Sequence, residues 1–151
     1  MTADDVSRVQ GVEMDDTQVD RTLEELGHGT LSLAQAGDAY GVPVSFGYDG
    51  DRVFLYLLRF GDDSKKLAFV DDTNTASLTA YEMDSKFDWR SVIVSGSLHD
   101  VDDEDVEHME EVMEDNAWFP TIFPPTEPIT GSKRVELRVA EATGRKGEEY
   151  D

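Results

Sequence analysis

The feature that most constrains the fold is a period-two alternation of apolar and polar residues, interrupted by glycine-containing turns. Alternation of this kind is typical of a β-strand with one buried face. Three such runs follow one another within residues 29–58, separated by Gly37-Asp38 and by Asp49-Gly50. Asp-Gly is a strong hairpin signal, and the third run, residues 53–58, is apolar throughout, which predicts a strand buried on both faces. The first half of the chain therefore predicts a three-stranded antiparallel meander.

Three further strands are predicted in the second half of the chain, at residues 75–83, 91–98 and 135–139. Gly96 is a candidate β-bulge in the middle one. Short strands joined by turns favour an antiparallel barrel. The predicted class is therefore mainly β, with six strands and two or three short helices.

Two of the helices have clear boundary signals. Asp15 is placed to cap the first, Gln18 completes a capping box, and Gly27 is placed to end the helix. The second helix begins at Asp102 or Asp103. We expect one domain over residues 14–143, with flexible polar ends at residues 1–13 and 144–151.

The charge balance is strongly acidic, since 34 Asp and Glu face only 13 Lys and Arg and the formal net charge is −21. A surface of this charge repels itself at low ionic strength and is screened in concentrated salt. The composition therefore predicts a protein of a high-salt cytoplasm. It also argues against nucleic-acid binding, because no basic stripe is present to neutralise phosphates.

Other classes of function are disfavoured by missing residue patterns. The sequence contains no cysteine, so disulfides and thiolate chemistry are excluded. No apolar run has the length needed to cross a bilayer, and the acidic start lacks a signal peptide. The three histidines do not have metal-ligand spacing. We therefore expect a cytoplasmic protein with no membrane partner and no metal site.

The ordered set of segments resembles the FMN-binding half of the pyridoxamine 5'-phosphate oxidase-like split barrels, especially the nitroimidazole-resistance-type subgroup. The matching segments are residues 29–33, 41–48, 49–52, 53–57, 64–67 and 89–96. The resemblance implies a six-stranded antiparallel split β-barrel. It also implies a homodimer with two equivalent FMN sites at the seam.

The resemblance further implies which residues contact the cofactor. In the family a Ser-Arg-Lys triplet binds the FMN phosphate, and this role transfers to Ser64, Lys65 and Lys66. A hydroxyl and two cations at a helix start suit a dianion. The flavin ring of the family lies against the second and third strands of the meander, which implies contacts from Pro43, Val44, Ser45, Phe46, Tyr56 and Leu57.

Three more residues belong to the candidate cofactor-binding set, and each of them has two possible roles. Trp89 and Trp118 either stack near the flavin, in relatives often from the second subunit, or seal the barrel or the dimer seam. Arg90 either binds an acidic group of the cofactor or pairs with a carboxylate. No catalytic residue is assigned.

Some positions depart from the family pattern. Asp62 and Asp63 precede the phosphate-binding triplet, where their charge opposes a phosphate unless they point away. Tyr56 stands where the subgroup often has a histidine. The C-terminal Trp and Arg segment of true pyridoxamine 5'-phosphate oxidases has no counterpart after Arg134.

The function implied is therefore that of an FMN-dependent oxidoreductase acting on a small organic molecule, rather than on pyridoxamine phosphate. Two alternatives stay open: a non-catalytic flavin carrier or sensor, and a deazaflavin-dependent reductase on the same fold. The non-catalytic alternative also includes a barrel that has lost its cofactor and kept only dimerisation. A heme protein is disfavoured because no convincing axial histidine is present.

Overall fold

A computed structural model describes residues 2–60, 75–116 and 129–150, without the side chains of residues 58–60 and 129–132. Helices and strands alternate early in the chain, and strands dominate the remainder. In chain order the elements are α1 (Ala3–Gln10), β1 (Val12–Glu13), α2 (Asp16–Leu26), β2 (His28–Gln35), β3 (Asp38–Tyr48), β4 (Arg52–Phe60), β5 (Thr75–Ser85), β6 (Asp88–Asp100), a 3₁₀ turn (Asp103–Asp105), α3 (Val106–Asn116) and β7 (Ile129–Lys146).

Six of the strands close into an antiparallel barrel in the order β7-β4-β3-β2-β5-β6, with β6 returning to β7. The seventh strand, β1, pairs with the end of β7, with Val12 opposite Lys146 and Glu13 opposite Arg145. The predicted mainly β, antiparallel class is confirmed, whereas the predicted count of six strands is wrong by one. A strand of two residues is too short to show the alternation from which strands are predicted.

The predicted hairpins form with the expected turn chemistry. Ala36 and Gly37 connect β2 to β3 and both have positive φ, 49° and 88°, the conformation of the type I′ turn that matches strand twist. In the β3–β4 turn, Gly50 has φ 97°. The carboxylate of Asp49 accepts hydrogen bonds from the N–H groups of Asp51 and Arg52, at 2.8 and 2.6 Å. These local bonds hold the turn closed.

The boundaries of α2 agree with those predicted. Asp15 accepts a hydrogen bond from the Gln18 N–H at 2.8 Å, and the Gln18 side chain accepts one from the Asp15 N–H at 3.0 Å. Gly27 ends the helix in the left-handed conformation, with φ 64°. The buried stripe of α2, which includes Leu23 and Leu26, packs into the barrel core.

Strand β4 is buried on both faces, as its continuous apolar run predicts. Val53, Leu55 and Leu57 belong to the barrel core. Phe54 points the other way and packs between β4 and α3, in a second cluster with Val101, Met109 and Met113. Helix α3 therefore covers the outside of the barrel at β4.

Two further features bear on the sequence-based expectations. The register of β6 against β7 shifts between Ser95 and Gly96, which confirms the bulge, and a Cβ at Gly96 would collide with the carbonyl oxygen of Arg138. Regular structure continues beyond both predicted domain limits, in α1 and β1 and in the end of β7. Among the described residues, no helix combines the length and apolarity needed to span a bilayer.

Candidate functional site

The barrel is split between β3 and β4. These neighbouring strands pair at three positions only, Phe46 with Leu55, Gly47 with Phe54 and Tyr48 with Val53. Beyond them, the rest of β3 pairs with β2 and the rest of β4 pairs with β7. The split therefore lies between residues 43–45 of β3 and residues 56–57 of β4.

Five of the predicted cofactor-contacting residues flank this split, and the sixth, Phe46, pairs with Leu55 at its closed end. The six divide into two groups by direction. Val44, Phe46 and Leu57 point into the barrel core and are at most 9% exposed, so only their main chains can face a ligand. The Phe46 N–H is already used, since it donates to the carbonyl oxygen of Gly27 at 2.8 Å. The floor of the split is therefore formed by main chain, and the apolar side chains lie beneath it in the core.

The other three residues lie at its outer lip. Pro43 is exposed, Ser45 is buried and Tyr56 is half-buried. The ring of Tyr56 packs against the cluster of Phe54, Val101, Met109 and Met113 beneath α3. An aromatic side chain held in this way can offer a ring edge to a molecule in the split.

The predicted phosphate-binding residues Ser64, Lys65 and Lys66, and also Trp118, lie outside the described residues. Strand β4 ends at Phe60, at the end where it has separated from β3.

Trp89 and Arg90 lie elsewhere within one chain. They are the second and third residues of β6, which is separated from β3 by β2 and β5. Arg90 is 6% exposed; its Nε donates to Glu82 at 2.6 Å, and its Nη1 lies 2.9 Å from a carboxylate oxygen of Glu25. Burial alone lowers the pKa of Arg90, but the hydrogen bonds to Glu25 and Glu82 outweigh it and raise the pKa. The structure thus favours the carboxylate-pairing interpretation of Arg90.

A charged network on the outer face of the barrel was missed by sequence reasoning. Glu136 lies opposite Phe54 on β7 and is 1% exposed. One of its oxygens accepts from Arg138 Nε at 3.1 Å and lies 3.5 Å from Arg52 Nη1. The other has no hydrogen-bond partner among the described residues. The alternation of β7 places Glu136 on the outer face of the barrel. The sequence signal for its burial was the apolar stripe of α3, because such a helix has to cover part of that face.

The same network joins α3 to the β3–β4 turn. Arg52 lies 3.2 Å from Asp105 and 3.6 Å from Asp49, and His108 Nε2 lies 2.8 Å from Asp49. Burial raises the pKa of Asp49, but the hydrogen bonds from His108, Arg52 and Asp51 outweigh it and lower the pKa. His108, expected to be solvated on its helix, is therefore part of the contact between α3 and the turn.

A cavity of about 290 Å³ lies between α2, the end of β3 and α3. It is lined by Glu24, Tyr48, Val112, Asp115 and Asn116. The Tyr48 hydroxyl donates to Asp20 at 2.6 Å. Burial, together with this acidic neighbour, raises the pKa of Tyr48 far above its ordinary value. In the part of the chain that the structure describes, no three His, Asp or Glu are grouped so that they can hold a metal ion.

The fold is similar to that of several solved structures. The FAD-binding protein of Mycobacterium smegmatis has a TM-score of 0.69 and 17% identity, with 90% of this chain and 98% of that chain covered. A proposed 5-nitroimidazole antibiotic resistance protein of Bacteroides thetaiotaomicron has a TM-score of 0.65 and 18% identity, with 88% and 85% covered. An FAD- and heme-binding protein of M. smegmatis has a TM-score of 0.65 and 14% identity, with 93% and 75% covered. At these identities the likeness establishes the split-barrel fold alone.

The sequence gives the family. A comparison with curated protein sequences finds no significant match. The model of the pyridoxamine 5'-phosphate oxidase family, in contrast, matches residues 15–146. This range includes α2, all six barrel strands and the split between β3 and β4. The chain therefore belongs to the pyridoxamine 5'-phosphate oxidase family.

Proposed function

We propose that the protein binds FMN at the split between β3 and β4 and, as a homodimer, uses it for oxidation or reduction of a small organic molecule. The observation that carries the proposal is the split itself. Two adjacent strands stop pairing after three positions, and five residues that the family resemblance assigns to the flavin lie on either side. FAD binding by two fold relatives, one of which also binds heme, supports a flavin as the ligand class.

The residues present fit a flavin. Val44 and Leu57 turn their side chains into the core, so at these positions the split presents uncharged main chain to a flat aromatic ring. The main chain of residues 43–45 borders the split on one side, where the ring's polar edge is proposed to lie, and Tyr56 forms part of the lip. The phosphate is assigned to Ser64, Lys65 and Lys66. A bound flavin supplies the redox chemistry, and the protein orients its ring and excludes water.

The outer face of the barrel supports the homodimer. The outward residues of β3, β2, β5 and β6 contain no charged side chain, although 31% of the whole chain is charged. They are Ala39, Gly41 and Pro43; Ala34, Ser32 and Thr30; Ser77, Thr79 and Tyr81; and Ser95, Ile93 and Ser91. Two chains of charge −21 associate with least repulsion through such a face. We define this set as the uncharged face.

The uncharged face reaches the candidate site. Pro43 belongs both to this face and to the lip of the split, while Tyr81 and Ile93, on β5 and β6, are 64% and 49% exposed. A second copy seated on the face would therefore border the split and contribute residues to it. This arrangement gives two equivalent sites at the seam.

Replacement of Tyr81 and Ile93 by aspartate is expected to convert the dimer to a monomer, because two carboxylates would be buried against the partner. Light scattering in concentrated salt measures the mass. The matched control is Val6→Asp with Val9→Asp on α1, whose side chains are also exposed, at 52% and 39%, and it should remain dimeric. A wild-type protein that is monomeric at all concentrations would overturn the dimer but not the flavin assignment.

The proposed function is tested by the visible absorbance spectrum of the protein after addition of FMN and removal of the excess. Retention of a two-banded flavin spectrum is the expected result. Rapid bleaching by a nicotinamide donor supports an oxidoreductase, whereas retention without bleaching by any donor supports a carrier or sensor instead. A colourless protein contradicts FMN binding, and the titration is then repeated with a deazaflavin.

A further inference from the structure

A second cleft lies between α2, the start of β6 and the C-terminal residues. Its volume is about 180 Å³, comparable to cavities that hold a benzene-sized molecule. It is lined by Met14, Gln18, Arg21, Thr22, Glu25, Arg90, Lys146 and Tyr150. None of these belongs to β3 or β4, so the cleft is independent of the proposed flavin site.

The cleft concentrates positive charge in a very acidic protein. Arg21, Arg90 and Lys146 all line it, although the whole chain has only 13 Lys and Arg against 34 Asp and Glu. In the described ranges, neither Arg21 nor Lys146 forms an ion pair. An anion bound in the cleft would neutralise these two cations, which lie beside the buried Arg90.

Arg90 is the fixed element of the cleft. Its side chain is 7% exposed, and Glu82 accepts from its Nε at 2.6 Å. Its guanidinium carbon lies 5.2 Å from the centre of the Tyr150 ring, and Tyr150 is held by its own N–H, which donates to the carbonyl oxygen of Gly147 at 3.2 Å. The guanidinium is therefore oriented before any ligand arrives.

Glu25 is the displaceable partner of Arg90. It lies 2.9 Å from Nη1, but half of its side chain, 50%, is exposed. Because Glu25 reaches water, it can leave Arg90 as an incoming carboxylate takes its place, so that the buried guanidinium keeps two carboxylate partners. Its departure would leave Nη1 facing the cleft beside Arg21 and Lys146.

We propose that this cleft binds a small organic carboxylate, whose carboxyl group replaces Glu25 on Arg90. The planar guanidinium matches the geometry of a carboxylate. Arg21 and Lys146 add charge at the rim, and Met14 and the Tyr150 ring give apolar contact to the body of the ligand. The chemical class is a monocarboxylate of about benzoate size, which the volume accommodates.

Calorimetric titration of the wild-type protein with benzoate in low-chloride buffer tests the proposal. Glu25→Gln should tighten benzoate binding about fivefold, because it removes the competing carboxylate. The matched control is Glu24→Gln, which removes the same charge one residue away, beside the other cavity, and should change affinity little. Equal tightening in both variants would mean a general charge effect and would overturn the site.

The cations provide the opposite arm. Arg21→Gln with Lys146→Gln should weaken benzoate binding about tenfold, whereas Arg138→Gln with Lys86→Gln, which removes two charges outside the cleft, should not. Arg90 itself is left unchanged, because its loss would leave Glu82 without a partner. Absence of benzoate binding in both wild type and Glu25→Gln overturns the proposal, and tighter binding of inorganic phosphate than of benzoate overturns the ligand class.

Discussion

FMN affinity is expected to fall by a factor of about 10² to 10⁴ when Lys65 and Lys66 are both replaced by alanine. Each lysine is assigned one charge-assisted contact with the phosphate, and two such contacts are worth roughly 3–6 kcal/mol in a site that excludes water. Quenching of FMN fluorescence on titration with protein measures the affinity. The loss should be smaller in concentrated salt, because screening weakens both contacts.

The control for this variant removes the same two charges elsewhere. Lys86→Ala with Lys146→Ala leaves the triplet intact, and its FMN affinity should stay within a few-fold of wild type. Both variants should keep the wild-type far-ultraviolet circular dichroism. Unchanged FMN affinity in the Lys65 and Lys66 variant would show that the phosphate is bound by other groups, while leaving open that a flavin occupies the split.

Arg52→Met is expected to destabilise the fold by about 3–5 kcal/mol, since it removes a cation from a nearly fully buried carboxylate. Glu136 is 1% exposed and is shared between Arg52 and Arg138. Arg52 also joins the β3–β4 turn to the start of α3 through Asp49 and Asp105. Its loss therefore leaves a buried charge under-compensated and loosens two elements. Denaturant unfolding gives the free energy.

The comparison that isolates the buried charge is the double variant Arg52→Met with Glu136→Met. An apolar pair of similar volume carries no desolvation cost, so the double variant should be more stable than Arg52→Met alone by about 2 kcal/mol or more. Arg138→Met should cost only about 1 kcal/mol, because that side chain is 51% exposed. A double variant less stable than the single one would show that Glu136 is not an electrostatic burden in the fold.

The features predicted correctly from the sequence are those encoded by neighbouring residues. The capping box of Asp15 and Gln18 and the turn at Asp49-Gly50 depend on contacts within four residues. The double burial of β4 follows from its own composition. Local signals of this kind need no knowledge of the partner strand.

The features missed depend on residues far apart in the chain. The two-residue strand β1 exists only because the end of β7, more than 130 residues later, lies beside it. Arg90 could be narrowed to two interpretations from sequence, but its partners Glu25 and Glu82 come from α2 and β5. The burial of Glu136 likewise depends on α3. None of these leaves a periodic signal.

The joints between neighbouring strands of the barrel differ in their number of paired positions, and this difference has a consequence for the protein in a cell. Strands β6 and β7 pair at eleven positions, whereas β3 and β4 pair at three, as do β2 and β5. Local opening is expected to begin at these two short joints, at a lower free energy than global unfolding, and amide hydrogen exchange should be faster there than between β6 and β7. A molecule bound across the β3–β4 joint favours its closed form increasingly as the concentration of that molecule rises. Cells short of that molecule would therefore hold more chains with two strand edges open to aggregation.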